Sequence, residues 1–355
     1  MRMLASFFCV IGILLFPSCS ATRGSRPSIT QVRVASNNIH DIVIASNGTL
    51  WFTHGCLGMT RMTVNGGTTT FRLPPIRREE KGGNPHPLLP IGCTTNSSGI
   101  GAIAIGRNDS LWFTDDAEAV IGRMTDRGNV RYFPLPHGWA AQRIVRGPGG
   151  DFWFTQMHGN AIGRISPTGI ISEYRLNGKA SQPYDIVVGP DGALWFTERG
   201  DGKIGRLTTG GALTEYSIPT PDSTPLSIAA GRNKTLWFTE VAKQEIGRIT
   251  TDGAITEYHL RNVGPGPDFI TAASNGTLWF TEEGSRKIGS ITASGSITEY
   301  DVPSFPSPLA GHDNDGTVRI SAPVQPHPYI IVRGRAGTMW FTEPGSYFIG
   351  NVTIP

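Results

Sequence analysis

Two series of residues carry candidate chemical groups, and a repeated Trp-Phe-Thr tripeptide places both. The first series stands three residues after each tryptophan: His54, Asp115, Gln156, Glu198, Glu240, Glu282 and Glu343. The second stands two residues before an isoleucine that recurs nine residues ahead of each tryptophan: His40, Gly101, Gln142, Tyr184, Leu226, Asp268 and Tyr329. Carboxylates and imidazoles can transfer protons or hold a metal ion, so both series predict sites of acid–base or metal chemistry.

The first and last repeats differ most from the pattern, because His40 and His54 lie in the first and His327 and Glu343 in the last. Neutral imidazole accepts a proton near physiological pH, and a nearby carboxylate sets its tautomer. We therefore predict that these four residues form one cluster. For each histidine taken alone, the alternative is a solvated or hydrogen-bonded role without chemistry.

The glutamates of the first series have a structural alternative of the same kind. Each carboxylate can accept hydrogen bonds from a neighbouring backbone or from an arginine of the recurring Ile-Gly-Arg segment. On this interpretation Glu198 pairs with Arg206.

The elements that carry these residues form an internal repeat. The tryptophans are Trp51, Trp112, Trp153, Trp195, Trp237, Trp279 and Trp340, spaced by 61, 41, 42, 42, 42 and 61 residues. An Ile-Gly pair follows nine residues later in six units, with Thr60 as the exception. Each unit offers four short β-rich runs separated by turn pairs such as Asp-Gly and Asn-Gly. The sequence thus predicts an all-β, seven-bladed β-propeller of four-stranded antiparallel blades over residues 29–355.

The two ends of the chain predict how the ring closes. The last unit stops after residues 349–353 and lacks a fourth strand, whereas residues 29–32 resemble such a strand and precede the first unit. We expect this N-terminal strand to complete the last blade, which covers an open sheet edge.

Two insertions lengthen the links between blades, near residues 73–98 and 303–328. Both links run from an outer strand to the next inner strand, so both should lie on the face with the channel mouth. Cys93 lies in the first insertion and Cys56 shortly before it. They are an even pair that could form a disulfide, and the alternative is two unrelated buried thiols.

The first 20 residues have the layout of a secretory signal, with Arg2, an apolar run and small residues around Cys19. We expect a secreted or periplasmic protein, and lipid attachment at Cys19 is a further alternative. No later apolar stretch has the length of a transmembrane helix. The 31 basic and 28 acidic residues are mixed along the chain, which argues against a nucleic-acid partner.

Three segments of the fourth unit carry a resemblance to a known family: residues 194–198 (Leu-Trp-Phe-Thr-Glu), 204–206 (Ile-Gly-Arg) and 213–216 (Leu-Thr-Glu-Tyr). They closely resemble the repeats of the virginiamycin B lyases, also called streptogramin B lyases. The resemblance implies a carbon–oxygen lyase that opens a macrocyclic depsipeptide at its ester bond by a magnesium-dependent elimination. It also implies catalytic histidines and glutamates on the last two blades.

The family motif on the sixth blade is Pro-His-x-Ile, where this chain has Asp268 in place of the histidine. On the seventh blade the motif is Glu-Pro-His-Gly-Ile, where this chain has His327 for the glutamate and Tyr329 for the histidine. Glu343 lies close to the final glutamate of the family. Of the family's catalytic residues, the resemblance therefore assigns only Glu343 in this chain, and the match in position is approximate.

We take His40, His327 and Glu343 as candidate catalytic residues, with His54, Asp268 and Glu343 as candidate ligands of Mg²⁺. In this hypothesis the ion polarises the ester carbonyl and a histidine removes the adjacent proton.

Tyr184, Tyr329 and Gln142 are the candidate substrate-binding residues. The partner would be a small cyclic peptide or another small molecule at the channel mouth, bound by a monomer. The competing hypothesis is a non-catalytic secreted propeller that binds a peptide, a glycan or an envelope component.

Overall fold

The computed structural model describes residues 27–34, 39–54, 58–74, 76, 99–178, 180–261, 264–304, 310–312, 318–320 and 325–354. Seven four-stranded antiparallel sheets follow one another along the chain, so the seven-bladed propeller is confirmed. The remaining sheet is a two-stranded hairpin in the second insertion.

The strands of the first half are β1 Ser28–Arg33; β2 Ile42–Ile44, β3 Leu50–Thr53, β4 Met59–Met62 and β5 Thr68–Phe71; β6 Ile100–Ile105, β7 Leu111–Asp115, β8 Val120–Met124 and β9 Val130–Pro134; β10 Ile144–Arg146, β11 Phe152–Gln156, β12 Ala161–Ile165 and β13 Ile171–Arg175. Those of the second half are β14 Pro183–Val188, β15 Leu194–Glu198, β16 Lys203–Leu207 and β17 Leu213–Ser217; β18 Pro225–Ala230, β19 Thr235–Glu240, β20 Glu245–Thr250 and β21 Ile255–His259; β22 Ile270–Ala272, β23 Leu278–Glu282, β24 Lys287–Ile291 and β25 Ile297–Asp301; the hairpin β26 Ala310–His312 and β27 Val318–Ile320; and β28 Ile331–Arg333, β29 Thr338–Thr342 and β30 Phe348–Thr353. The helical turns among the described residues are short 3₁₀ segments at Arg107–Asp109, Pro136–Gly138, Pro148–Gly150 and Val241–Lys243.

The repeated Trp-Phe pair packs each blade between its two neighbours. Successive side chains of a strand point to opposite faces of the sheet. Trp195 accordingly lies in an apolar cluster with Phe238 of the fifth blade, while Phe196 lies in a cluster with Trp153 of the third. Both side chains of the pair are fully buried. Each blade therefore hides its apolar surface only against the blades beside it.

The recurring Ile-Gly pair is explained by a close approach of backbone and aromatic ring. Gly247 lies opposite Phe238 on the neighbouring strand, and a Cβ at Gly247 would meet the ring at 2.1 Å. The same clash would occur opposite the equivalent phenylalanine at Gly122, Gly163, Gly205, Gly289 and Gly350. The first blade has Thr60 opposite Phe52 instead.

The N-terminal strand closes the ring, as the sequence predicts. β1 pairs antiparallel with β30, from Ser28 opposite Thr353 to Arg33 opposite Phe348, and completes the last blade from outside. The first segment of the propeller and its last strand therefore share one sheet.

Several predictions concern residues outside the described part of the chain. They are the signal segment 1–20 with Cys19, the pair Cys56 and Cys93, and most of the first insertion. The described residues contain no helix with the length and hydropathy of a membrane span.

Candidate functional site

Both polar series lie at the same end of the propeller. The inner strand of each blade begins where the second strand ends, as in the pairing of Pro183 with Glu198 and of Pro225 with Glu240. The residues before the inner strand therefore surround the channel mouth, and the residues that end the second strand lie slightly further out.

Arg143, which is not among the predicted site residues, reaches across the channel at this end. Its Nη1 lies 3.2 Å from Oδ2 of Asp41 on the first blade, and its Nε lies 3.5 Å from Oδ1 of Asp185 on the fourth. Its guanidinium carbon lies 5.3 Å from the ring centre of Phe269 on the sixth blade. Burial alone lowers the pKa of Arg143, but the two carboxylates outweigh this effect and raise it, so the guanidinium stays charged.

The two aspartates also connect neighbouring blades. Asp41 accepts a hydrogen bond from the backbone N–H of Ile103 at 2.9 Å. Asp185 accepts bonds from the Ser227 hydroxyl at 2.7 Å and from the Ile228 N–H at 3.0 Å. The two bonds to Asp185 satisfy Oδ2, the oxygen that Arg143 does not contact. On Asp41 the Ile103 N–H and Arg143 share Oδ2, and Oδ1 accepts the backbone N–H of Ile42 at 2.8 Å. Both buried carboxylates therefore have the partners that a buried charge requires. This network of charged and hydrogen-bonded groups forms the floor of the channel mouth.

Aromatic side chains stand beside this floor. The ring centres of Tyr329 and Phe269 are 4.8 Å apart, in an edge-to-face arrangement. Burial, followed by the neighbouring Tyr184, raises the pKa of Tyr329, so its phenol stays protonated and can donate a hydrogen bond. Arg199 places its guanidinium carbon 5.2 Å from the Tyr184 ring centre. The mouth thus has an apolar wall with phenol and guanidinium donors.

Asp268 is the acidic member of this group. It is half-buried, and its Oδ2 accepts the backbone N–H of Glu283 at 2.7 Å. Burial raises the pKa of Asp268 to about 6, against the opposing effect of that hydrogen bond. A carboxylate with this pKa is ionised at neutral pH and still basic enough to accept a proton.

The glutamates that end the second strands lie inside the blades. Glu198, Glu240 and Glu282 are at most 1% exposed. Burial and then the glutamate of the outer strand raise the pKa of Glu198 to about 7, of Glu240 to about 8 and of Glu282 to about 7. The expected pairing of Glu198 with Arg206 is not found, because the Nε of Arg206 lies 2.7 Å from Oδ2 of Asp191.

Glu343 and His54 also point into their blades and have local partners. The Glu343 carboxylate accepts a hydrogen bond from the side-chain amide of Gln31 in β1, and burial raises the pKa of Glu343 to about 8. The Nε2 of His54 is hydrogen-bonded to the hydroxyl of Thr60, and burial lowers the pKa of His54 to about 4. His54 is thus neutral at physiological pH. Its partner Thr60 lies opposite Phe52, at the position where the other blades have glycine.

The remaining predicted residues lie apart. His40 is half-buried, and its pKa is lowered by burial and raised less strongly by Asp116. His327 is exposed and lines a cleft of about 420 Å³ together with Glu283 and the segment 344–346. Gln142 is half-buried, and its backbone carbonyl accepts a bond from the Thr114 hydroxyl at 3.3 Å. The four residues of the predicted cluster, His40, His54, His327 and Glu343, thus have different neighbours. Of the other predicted site residues, Asp268, Tyr184 and Tyr329 are the ones that lie with Arg143.

The residues predicted to hold Mg²⁺ do not fit one ion. A metal site needs ligand atoms that converge, and nitrogen and oxygen ligands lie about 2 to 2.6 Å from the common ions. The ligand atoms of His54, Asp268 and Glu343 form no such group: in the described ranges, the three-residue group within 4.8 Å lies elsewhere, in the fifth blade. His54 and Glu343 already bind Thr60 and Gln31.

A signal for the missed residues is present in the sequence, one position after the variable series. The residues there are Asp41, Ala102, Arg143, Asp185, Ser227, Phe269 and Ile330. Three charged groups at a position that is otherwise small or apolar indicate a buried ion-pair network.

The class of protein follows from these features: an all-β propeller with a donor-lined site at its channel mouth. Comparison with known proteins agrees with this class. The family model described as the virginiamycin B lyase family matches residues 86–320. The chain therefore belongs to the virginiamycin B lyase family, as the repeats indicated.

Individual relatives show how far the likeness extends. The selenomethionine-substituted virginiamycin B lyase of Staphylococcus aureus is 32% identical, with a TM-score of 0.78 over 93% of this chain and 100% of that one. A catalytically inactive histidine-to-alanine variant of the S. aureus enzyme with quinupristin is 33% identical, with a TM-score of 0.77 over 93% and 100%. A streptogramin B lyase structure is 29% identical, with a TM-score of 0.77 over 93% and 98%. The virginiamycin B lyase of Nocardia farcinica (strain IFM 10152) is 31% identical over 70 residues, which are 20% of this chain and 25% of that relative's length.

Proposed function

We propose that this protein opens a cyclic depsipeptide of the streptogramin B type at its ester bond by elimination. The observation that carries the proposal is the meeting of Asp268, Tyr184, Tyr329 and Arg143 at the channel mouth, from four different blades. Family membership supports the reaction class, and a relative in this family has been solved with quinupristin.

In an elimination, a base removes a proton from the carbon next to a carbonyl. The electron pair forms a C=C bond to the next carbon, and the C–O bond to the carboxylate leaving group breaks. No water is added, so the opened product keeps the mass of the ring. The residues of the mouth must therefore accept one proton and stabilise charge on two oxygens.

Asp268 is the proposed proton acceptor, in the position where the family motif has a histidine. Its carboxylate lies beside the mouth, and its pKa near 6 suits a base at neutral pH. This assignment revises our initial choice of His40 and His327, which lie beside Asp116 and in the outer cleft respectively.

Charge on the carbonyl oxygen would be stabilised by the phenol of Tyr329 and the guanidinium groups near it. Donors that are held in place before the reaction stabilise developing charge efficiently, because they need no reorganisation. The ion pairs with Asp41 and Asp185 hold the guanidinium of Arg143 in place in this way. Arg199 adds a second cation, against the ring of Tyr184. Magnesium dependence stays a prediction of the family resemblance, and no step above uses the ion.

The test is mass spectrometry of a streptogramin B antibiotic after incubation with the purified protein, with Mg²⁺ and with a chelator. A ring-opened product of unchanged mass supports the proposal, whereas a product heavier by one water would indicate hydrolysis. Loss of turnover in chelator would show that a metal is required. No product at high enzyme concentration would favour the non-catalytic binding propeller.

Substitutions identify the base. We expect Asp268→Asn to abolish turnover, with Asp252→Asn on an exposed turn as the matched control. His40→Ala and His327→Ala should retain turnover. If His327→Ala abolishes turnover and Asp268→Asn does not, the base is His327 and the assignment to Asp268 is wrong.

A further inference from the structure

A cleft of about 510 Å³ opens between the fifth and sixth blades. It lies beside residues 231–234 and 273–277, the turns that join the first two strands of these blades. The channel mouth lies at the other ends of the same strands, where β18 begins and β19 ends. The cleft is therefore separate from the site of the proposed lyase activity, and its volume suits a small molecule.

Two arginine side chains line this cleft and contact backbone carbonyls of the sixth blade. The Nη1 of Arg248 lies 3.5 Å from the carbonyl oxygen of Ala293, and the Nη2 of Arg232 donates a hydrogen bond to the carbonyl of Ser274. The guanidinium carbon of Arg248 also lies 5.8 Å from the ring centre of Trp237. Carbonyl groups orient a guanidinium but carry no net charge, so these contacts leave both positive charges uncompensated.

The equivalent arginine of the fourth blade has a carboxylate partner. Arg206 lies opposite the repeated tryptophan, as Arg248 does, and its Nε lies 2.7 Å from Oδ2 of Asp191. Asp191 stands four residues before the tryptophan, a position that Asn233 occupies in the fifth blade. The buried Nε of Arg248 has no hydrogen-bond partner among the residues that the structure describes. The fifth blade thus keeps the arginine and lacks its counter-charge.

An unpartnered Nε does not by itself mark a site, because Arg61 and Arg123 in the first and second blades have one as well. The fifth blade differs by a second arginine, Arg232, which stands five residues before the tryptophan. The first blade has Ser46 at that position, whereas the second blade has Arg107. Only the second blade therefore needs a closer comparison.

The second blade carries an acidic residue beside its two arginines. Asp109 stands three residues before the tryptophan, where the fifth blade has the exposed Lys234. Among the described residues that line the cleft at the fifth blade none is acidic, and Asp252 of the neighbouring turn lies outside it. The cleft therefore has a net positive charge that no lining residue offsets.

The other lining groups are suited to a polar molecule. The Oδ1 of Asn275 accepts the backbone N–H of Thr277 at 3.0 Å, which leaves the side-chain NH₂ group as a donor toward the cleft. The hydroxyls of Thr277 and Thr292 line the same space. Guanidinium groups match the oxygens of phosphate and sulfate in geometry and charge. The cleft is larger than a single such ion requires, so there is room for the molecule that carries it.

We propose that this cleft binds a small polar molecule through a phosphate or sulfate ester group. Arg232 and Arg248 hold the oxyanion, while Asn275 and the threonine hydroxyls bind the remainder of the molecule. Binding supplies the negative charge that Asp191 supplies in the fourth blade. The site does not depend on the proposed lyase activity.

Isothermal titration calorimetry of the purified protein tests this proposal. The probes are glucose 6-phosphate, glucose 6-sulfate, inorganic phosphate and glucose. We expect at least one of the two esters to bind one site per chain, with a Kd of about 1 mM or tighter and at least about tenfold tighter than inorganic phosphate or glucose. The tighter of the two esters identifies the anionic group. Added NaCl should weaken the binding, because salt screens the charges.

Substitutions assign the binding to the cleft. Asn233→Asp places a carboxylate among the lining residues and should weaken the binding at least about tenfold without removing any packing. Arg248→Gln should have the same effect by removing one cation. Arg206→Gln in the fourth blade is the matched control and should bind as tightly as the wild type.

Three results would overturn the proposal. One is the lack of binding of either ester with a Kd below about 10 mM. Another is ester binding that Asn233→Asp and Arg248→Gln both leave unchanged. The third is binding of inorganic phosphate as tight as that of the esters, which would show an adventitious ion only. Failure here is distinguishable from failure of the proposed function, because Asn233→Asp should keep lyase turnover and Asp268→Asn should keep ester binding.

Discussion

Arg143 and Asp41 form an ion pair of 3.2 Å between the third and first blades, which are not adjacent in the ring. The same guanidinium reaches Asp185 on the fourth blade and the ring of Phe269 on the sixth. One side chain thus connects four blades across the channel. The floor of the mouth is consequently a single charged network, and it positions the inner-strand ends on which Tyr184, Asp268 and Tyr329 stand.

Removing the guanidinium should destabilise the whole ring. Arg143→Met leaves the buried carboxylates of Asp41 and Asp185 without their counter-charge, and the loss of one partner of a buried pair costs about 3 to 5 kcal/mol. Denaturant unfolding measures this loss. Arg146→Met, three residues along the chain and exposed, is the control and should unfold within about 0.5 kcal/mol of the wild type. An Arg143→Met variant as stable as this control would contradict the role of the network.

The proposed base predicts a pH profile. Asp268 must be ionised to accept a proton, and its pKa in the folded protein is about 6. We expect kcat/KM to rise with pH through about 6 and to level off above it. The measurement is product formation from pH 4.5 to 8. A rise centred well above pH 7 would instead indicate a different titrating group.

The free energy of unfolding should decrease as pH rises because of the buried glutamates, and Glu198 allows a direct test. Its folded pKa of about 7 lies above the ordinary value of 4.5, so the folded state binds the proton more tightly than the unfolded state. The free energy of unfolding therefore declines as pH rises from about 4.5 to about 7 and is constant above that window.

Glu198→Gln should remove part of this decline, because the amide stays neutral. At pH 8 the variant should be more stable than the wild type by an amount on the order of 2 kcal/mol, and at pH 4.5 the difference should shrink. Urea unfolding at both pH values measures it, with the exposed Asp252→Asn as the control that keeps the wild-type slope. An equal difference at the two pH values would argue against a raised pKa.

The close contact between the Phe238 ring and Gly247 predicts that one added methyl group strongly lowers the stability. Gly247→Ala would place Cβ at 2.1 Å from the Phe238 ring, and we expect a loss of about 1 to 3 kcal/mol from overpacking. Gly210→Ala is the control, because Gly210 has its nearest neighbour at 3.8 Å and an ordinary φ. Thermal unfolding should therefore separate the two alanine variants clearly, and similar Tm values would show that the ring moves aside at little cost.

The architecture could be predicted from the spacing of repeated residues alone. The regular spacing of Trp-Phe-Thr and Ile-Gly sets strand length, strand face and interblade packing in every unit, because each unit can bury its apolar face only against its neighbours. The same periodicity predicted how the ring closes, because residues 29–32 supply the strand that the last unit lacks. The pairing of β1 with β30 confirms this prediction.

The contacts between polar residues of different blades depend on the folded ring. Glu343 and His54 occupy polar positions of the repeat, yet their side chains turn into the blades, where Gln31 and Thr60 bind them. Arg143 belongs to the third repeat and finds its partners on the first, fourth and sixth, a relation that depends on closure of the ring. Sequence periodicity reports which side of a strand a residue occupies, whereas side-chain length and the curvature of the ring determine what it reaches across the channel.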